Sequence, residues 1–123
     1  MDCIATPSAP AAIGPYSQAI LSGNTLYASG QIPINPASGQ IEAKDIACQT
    51  EQACQNVGEI LKAAGMGFEN VVKTTCFLSD IGHFAAFNEV YAKYFVSKPA
   101  RSCVAVKDIP KGALCEIEIV AVK

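Results

Sequence analysis

The sequence lacks tryptophan, has a single histidine and has few charged residues, which make up 16% of its 123 positions. Nine Lys and Arg residues against eleven Asp and Glu give a formal net charge of −2. Such a balance provides no basic field for the phosphate backbone, so we expect no nucleic-acid partner. A basic stretch followed by an apolar one is missing at the beginning, and uncharged apolar runs fall short of the ~18–20 residues of a membrane span. We therefore expect a cytoplasmic protein with no membrane partner, although the sequence leaves cytosol and organelle undistinguished.

None of the six cysteines belongs to a C-x-x-C pair. A structural zinc site requires four clustered thiolate or imidazole ligands, and the lone His83 does not complete one, so no metal is expected. Because no export signal is present, disulfide bonds are not expected either. Free cysteine packs as a small apolar residue, and five cysteines are interpreted in this way: Cys3, Cys48, Cys54, Cys76 and Cys115.

Half of the residues are hydrophobic, and the length suits one domain over residues 1–123. Apolar spacing and turn residues predict strands at 16–21, 25–29, 71–78, 101–107 and 113–122. They also predict helices at 45–64 and from a cap at Ser79 or Asp80 through Val96. Two helices can cover only one face of such a sheet. The sequence therefore predicts an α+β fold: a mixed, mainly antiparallel sheet with two helices on one face.

The last predicted strand has two different faces. One face carries only small or apolar residues: Cys115, Ile117, Ile119 and Ala121. The other begins with Glu116 and Glu118 and ends with Val120 and Val122. A half-apolar second face indicates subunit contacts, although isolated exposed valines are also common in soluble proteins.

Three residues near the end of the chain have chemical potential. Arg101 and Cys103 project on one face of their strand, and the turn at 108–112 is expected to place Glu116 opposite Cys103 or Val104. Arginine offers a planar fork for a carboxylate, and glutamate is a general acid or base. Other interpretations stay open: a structural Arg101–Glu116 ion pair, or Cys103 as a small packing residue, because no histidine stands ready to activate it.

Additional polar residues support a ligand site more weakly. Asn88 lies in a helix, where its propensity is poor unless its side chain finds a partner. Tyr16, Ser29 and Gly30 lie at strand ends, and glycine allows close approach of backbone to a ligand. From the residues alone, the sequence indicates an α+β oligomer with a cluster suited to a small carboxylate.

Several segments, in their order along nearly the whole chain, resemble the RidA (YjgF/Rid) family. They are G-P-Y-S-Q-A at 14–19, A-S-G-Q-I-P at 28–33, N-E-V-Y at 88–91, P-A-R-S-C-V at 99–104 and E-I-E-I at 116–119. The resemblance implies a chorismate-mutase-like fold and a homotrimer with three clefts between subunits. It implies hydrolysis of reactive enamines and imines (2-aminoacrylate, 2-iminopropanoate, 2-iminobutanoate) to 2-keto acids and ammonia, without a cofactor.

The resemblance also implies roles for individual residues. Arg101 resembles the arginine that binds the substrate carboxylate, Glu116 the acid that holds or activates water, and Cys103 the pocket cysteine. A neighbouring subunit is expected to contribute the opposite wall with Tyr16, Ser29 and Gly30. Residues similar to Phe84 and Asn88 line the site from the second helix.

Two other functions remain as alternatives. One is a non-catalytic trimer that binds carboxylates in a regulatory or chaperone-like role. The other is an endoribonuclease or translation inhibitor, which the acidic charge and the lack of a metal site disfavour. The sequence does not indicate which 2-imino acid is preferred.

Overall fold

A computed structural model of the chain describes residues 1–123. Its six strands and two α-helices are β1 Asp2–Ile4, β2 Ala19–Ser22, β3 Thr25–Gln31, α1 Ile46–Ala63, β4 Val71–Leu78, α2 Phe84–Tyr94, β5 Ala100–Ala105 and β6 Cys115–Val122. The strands form one sheet in the order β1-β2-β3-β6-β4-β5. Only β4 and β5 run parallel, and the other neighbours are antiparallel. The predicted α+β class with a mixed, mainly antiparallel sheet is confirmed.

Both predicted helices are present, with capped beginnings. Asp45 caps α1, because its side chain accepts a hydrogen bond from the backbone N–H of Cys48 at 2.8 Å. Asp80 caps a short 3₁₀ turn that leads into α2. The second helix ends at Tyr94 and not at Val96, because the Ser97 hydroxyl donates to the backbone carbonyl of Val71 and ties the following chain to β4. Neither helix combines the length and apolar character needed to cross a membrane.

The core lies between the helices and one face of the sheet. The inward side chains of β6 are at most 1% exposed, and Phe87 of α2 is fully buried against the same cluster. Cys54, Cys76 and Cys115 belong to this core, as predicted. The same prediction is wrong for Cys3 and Cys48, which are exposed because one lies in an edge strand and the other in the first turn of α1.

The opposite face of the sheet has no helix on it. Tyr27 of β3, Val104 of β5 and Val122 of β6 expose 54%, 46% and 37% of their surface there. Val120 is the cross-strand partner of Tyr27 and so lies on the same face. We call this surface the open sheet face. It is the half-apolar face that the sequence predicts, and its cover by further subunits stays a prediction.

The strand order corrects the predicted hairpin between the last two strands. The sixth strand lies between β3 and β4, so Glu116 pairs with Phe77, and Phe77 in turn pairs with Val104. A strand whose inner side chains are completely buried suits the interior of a sheet, whereas the largely exposed β5 suits a sheet edge.

The first strands also differ from prediction. The predicted strand 16–21 begins only at Ala19, because residues before it form a bend in which the Tyr16 N–H donates to the carbonyl of Gly14 at 2.8 Å. An unpredicted strand, β1, pairs Asp2 with Leu21. Three residues are too few for a recognisable alternating pattern.

Candidate active site

Arg101 lies on the helix side of β5, beneath α2. Its cross-strand partner on β4 is Thr74, a fully buried residue of the helix side. The guanidinium donates from Nη1 to Oδ1 of Asn88 at 2.7 Å. Its Cζ atom lies 4.8 Å from the ring centroid of Tyr91 and 5.4 Å from that of Phe84. All of these partners are neutral, so the positive charge and the remaining N–H donors suit an anionic ligand.

The three contacts of the guanidinium come from one side of α2. Residues 84, 88 and 91 are spaced by four and three positions and therefore share a helix face. A groove of about 550 Å³ lies beside this part of α2 and is lined by Asn88, Tyr91, Lys98 and Arg101. We call it the Arg101 groove. Asn88 and Phe84, predicted to line the site, are both contacts of Arg101.

Glu116 lines a separate cavity of about 520 Å³. This Glu116 cavity also contains Tyr16, Ser29 and Gly30, so the structure brings together four of the predicted site residues. Glu118 and Lys111 complete its charged lining. The cavity lies where the chain before β2 passes a bulge in β3, near the beginning of β6.

Gly30 leaves room for Glu116 at the bulge. The register between β3 and β6 shifts between Ala28 and Gln31, and the Ser29 hydroxyl donates to the Ser17 carbonyl at 2.6 Å. A Cβ atom on Gly30 would lie 2.8 Å from Cδ of Glu116, closer than non-bonded atoms approach. Only glycine therefore lets the carboxyl group of Glu116 lie directly against the β3 backbone.

The environment of Glu116 favours its protonated form. Partial burial raises the pKa of this carboxyl group, and the negative charge of Glu118 raises it further. The proton consequently stays on Glu116 to a higher pH than on an ordinary glutamate. A carboxylate with a raised pKa is a stronger base than an ordinary glutamate and is better suited to take a proton from bound water.

The Cys103 side chain is less suited to chemistry. Its thiol packs against the edge of the core, and burial raises its pKa although Arg101 acts in the opposite direction. A thiol with a raised pKa stays protonated at neutral pH and is a poor nucleophile. These observations favour the packing interpretation for the sulfur, and a role of Cys103 in a ligand pocket stays a prediction.

The predicted convergence of Arg101, Cys103 and Glu116 is wrong within one chain. Arg101 lies on β5 and Glu116 on β6, so two strand spacings, about 10 Å, separate their strands. Their side chains also leave opposite faces, since Arg101 is in register with Thr74 of the helix side and Glu116 with Phe77 of the open sheet face. The alternative of an Arg101–Glu116 ion pair is wrong for the same reason. We call the Arg101 groove and the Glu116 cavity the two candidate half-sites.

Sequence reasoning missed two residues at the half-sites. Tyr91 lies at helical spacing from other aromatic residues of α2, and that spacing does not show that its ring meets a guanidinium. Gln18 is almost completely buried and holds the preceding segment by four hydrogen bonds, two with Thr6 and one each with the carbonyls of Ala9 and Pro10. The only sequence signal for Gln18 is its place in the G-P-Y-S-Q-A segment.

The fold and the two half-sites together show what kind of protein this chain is. A small open-faced α+β chain carries an arginine groove on one side of its sheet and a glutamate cavity on the other, with no group of three or more His, Cys, Asp or Glu placed for a metal ion. The family profile described as Endoribonuclease L-PSP matches residues 6–123. The chain belongs to this family, that of the YjgF/RidA proteins.

Individual relatives are similar over nearly the whole chain. Human 2-iminobutanoate/2-iminopropanoate deaminase is 53% identical over 121 residues, which cover 98% of this chain and 88% of the human protein. The crystal structure of Escherichia coli TdcF with bound serine is 41% identical, with a TM-score of 0.95 over 100% of this chain and 99% of that one. The crystal structure of the E. coli YjgF gene product is 45% identical, also with a TM-score of 0.95, over 100% of this chain and 99% of that one.

Proposed function

We propose that the protein is a cytoplasmic enamine/imine deaminase that hydrolyses short 2-imino acids to 2-keto acids and ammonia. The observation that carries the proposal is the Arg101 guanidinium, which has only neutral partners and faces a groove. The name of the human relative and the serine bound to TdcF support a small substrate that bears a carboxylate.

We propose further that the active unit is a homotrimer whose sites lie between subunits. The open sheet face supports this assembly, because exposed Tyr27 and Val104 lie on a sheet that no helix covers on that side. The split between the half-sites supports it as well. A single small acid can meet both Arg101 and Glu116 only if one chain contributes the arginine and another the glutamate.

In the proposed reaction, Arg101 binds the carboxylate of the imino acid. A charge-assisted contact of this kind contributes roughly 1.5–3 kcal/mol and fixes the direction in which C2 of the substrate faces. Asn88 holds one end of the guanidinium, so the contact needs little rearrangement when the ligand binds.

Glu116 then handles the protons of the hydrolysis. Water adds its oxygen to C2, the π electrons of the C=N bond move to nitrogen, and Glu116 passes the proton it takes from water to that nitrogen. In the resulting carbinolamine, Glu116 takes the hydroxyl proton and passes it to the amino nitrogen. The C–N bond then breaks, ammonia leaves with the bonding electron pair, and the hydroxyl oxygen forms the carbonyl of the 2-keto acid. The raised pKa of Glu116 suits both halves of this transfer. No cofactor takes part in these steps.

The test couples the purified protein to a threonine dehydratase, with semicarbazide competing for the released imine, and follows 2-oxobutanoate. We expect Arg101→Ala to lower kcat/KM about 100-fold, the equivalent of losing one strong charge-assisted contact. Lys107→Ala is the matched control, because it removes an exposed positive charge outside both half-sites. Wild-type turnover by Arg101→Ala would refute the mechanism.

The same samples distinguish the alternatives. Calorimetric binding of 2-oxobutanoate without turnover of any imine would support a non-catalytic carboxylate-binding trimer instead. Cleavage of RNA that survives stringent purification and is lost in Arg101→Ala would support the nuclease implied by the family description.

A further inference from the structure

Tyr91 connects the guanidinium of Arg101 to the buried part of the sheet. Its ring lies 4.8 Å from Cζ of Arg101, and its hydroxyl is 2.7 Å from the hydroxyl of Thr74. Thr74 is completely buried in β4 and is also the cross-strand partner of Arg101. The residue that anchors the phenol therefore lies directly beside the strand position from which the arginine extends.

The single hydrogen bond from Arg101 to Asn88 does not by itself fix the plane of the guanidinium, because a planar fork can rotate about one donor. An aromatic face within about 6 Å attracts a cation and restricts that rotation. Phe84 provides a second ring at 5.4 Å, but its side chain is 37% exposed at the beginning of α2. Tyr91 is only 8% exposed and is therefore the more constrained of the two rings.

The surroundings of the Tyr91 ring require an aromatic residue but not a hydroxyl. The ring stacks on Phe95 with centroids 4.2 Å apart and packs against Phe87 at 5.7 Å. Phenylalanine would satisfy both contacts. The hydroxyl adds only the bond to Thr74, which holds the ring along its long axis and so sets where the ring meets Arg101.

We propose that Tyr91 is the positioning residue of Arg101 and that the Thr74 hydroxyl anchors it, so that the free N–H donors of the guanidinium are presented to the carboxylate of the ligand. This inference rests on the proposed function in that the ligand is taken to be a short 2-keto or 2-imino acid. It adds to that function a pair of residues, Thr74 and Tyr91, that act through the arginine.

The first measurement is the Kd of 2-oxobutanoate by NMR titration, which needs no turnover. We expect Tyr91→Leu to weaken binding about tenfold, and Tyr91→Phe and Thr74→Val to weaken it about threefold each. The double variant Tyr91→Phe/Thr74→Val should also lose about threefold, because both changes break the same hydrogen bond. A ninefold loss in the double variant, or unchanged binding in Tyr91→Leu, would overturn the proposal.

The second measurement is the split between KM and kcat with the generated imine. A carboxylate contact made equally in the ground state and the transition state appears in KM, so KM should rise about tenfold in Tyr91→Leu while kcat changes less than threefold. A decrease in kcat at constant KM would indicate a smaller folded fraction and overturn the proposal. Tyr94→Leu is the control, because this tyrosine of the same helix bonds to Glu51 and should leave KM unchanged.

The two proposals fail differently. Absence of turnover together with the expected changes in Kd would refute the deaminase and leave the role of Tyr91 intact. Normal turnover with Kd and KM unaffected by Tyr91→Leu would refute the positioning role and leave the deaminase intact.

Discussion

Glu116 and Glu118 leave the same face of β6 and line the same cavity, but Glu118 is exposed while Glu116 is partly buried. A negative charge therefore has a different effect at each of the two positions. Burial separates Glu116 from water, and the Glu118 charge raises the pKa of its neighbour. Glu118 can thus tune the chemistry of Glu116 through its charge.

We expect Glu118→Gln to shift the acidic limb of the pH profile of kcat/KM to lower pH. Removing a negative charge takes away one of the causes that raise the pKa of Glu116, so this pKa falls and the ionised form, which accepts a proton from water, persists to lower pH. The measurement is kcat/KM from about pH 4 to 8, with the exposed Glu42→Gln as control. An unchanged acidic limb would show that Glu116 is not the titrating group.

Sequence patterns predicted which single residues have a chemical role better than they predicted which other residues contact them. Strand alternation singled out Arg101, poor helix propensity singled out Asn88, and the resemblance supplied Phe84. Asn88 and Phe84 both contact Arg101. Tyr91 was missed, because a helical stripe of aromatic residues looks the same whether a ring packs only in the core or also beneath a cation. The steric need for Gly30 was also hidden, since it depends on a side chain 86 positions away.

At the scale of elements, the segment before β2 owes its position to one buried side chain. The carbonyl oxygen of Gln18 accepts from the Thr6 N–H at 2.7 Å, and its amide nitrogen donates to the carbonyls of Thr6, Ala9 and Pro10. Pro10 and Tyr16 of this segment line the Glu116 cavity. Gln18 therefore fixes one wall of that half-site.

We expect Gln18→Ala to lower the free energy of unfolding by about 2–3 kcal/mol, because it leaves several buried or half-buried backbone groups without their partner. Urea unfolding measures the loss, and hydrogen exchange at the Thr6 amide should accelerate. The control is Gln40→Ala, since Gln40 is exposed in the loop before α1. An unchanged urea midpoint would contradict the role of Gln18 as the anchor.

The elements themselves followed from apolar spacing, but the strand order did not. Helices and the longer strands matched within a few residues because their patterns are local. The hairpin of β5 with β6 was expected from proximity in the chain, whereas β6 crosses to the far side of β4. One observation in the sequence favours the actual order: the inner face of β6 is continuously apolar, which suits a strand with neighbours on both sides.

At the scale of the whole molecule, the apolar open sheet face and the separation of the two half-sites both support the proposed trimer. Tyr27 lies on β3, a central strand, yet exposes 54% of its surface. Exposed aromatic residues on a central strand are typical of a surface that another chain covers.

We expect Tyr27→Asp to dissociate the assembly, because a carboxylate on the open sheet face would have to be buried without a partner. Sedimentation velocity should show a single-chain species at micromolar concentration, and turnover should fall with the fraction assembled. Ile81→Asp, which replaces a 58% exposed isoleucine outside the sheet, is the control. A trimer that persists in Tyr27→Asp would place the interface elsewhere.

The placement of Arg101 and Glu116 on opposite sides of one sheet has a consequence for the newly made chain. If a second copy completes the site as we propose, a lone polypeptide is folded but inert, and each catalytic centre belongs to a pair of neighbours. Two defective chains, one without the guanidinium and one without the carboxyl group, would then restore some intact centres when mixed. Dilution that separates the subunits would then abolish the activity without any inhibitor.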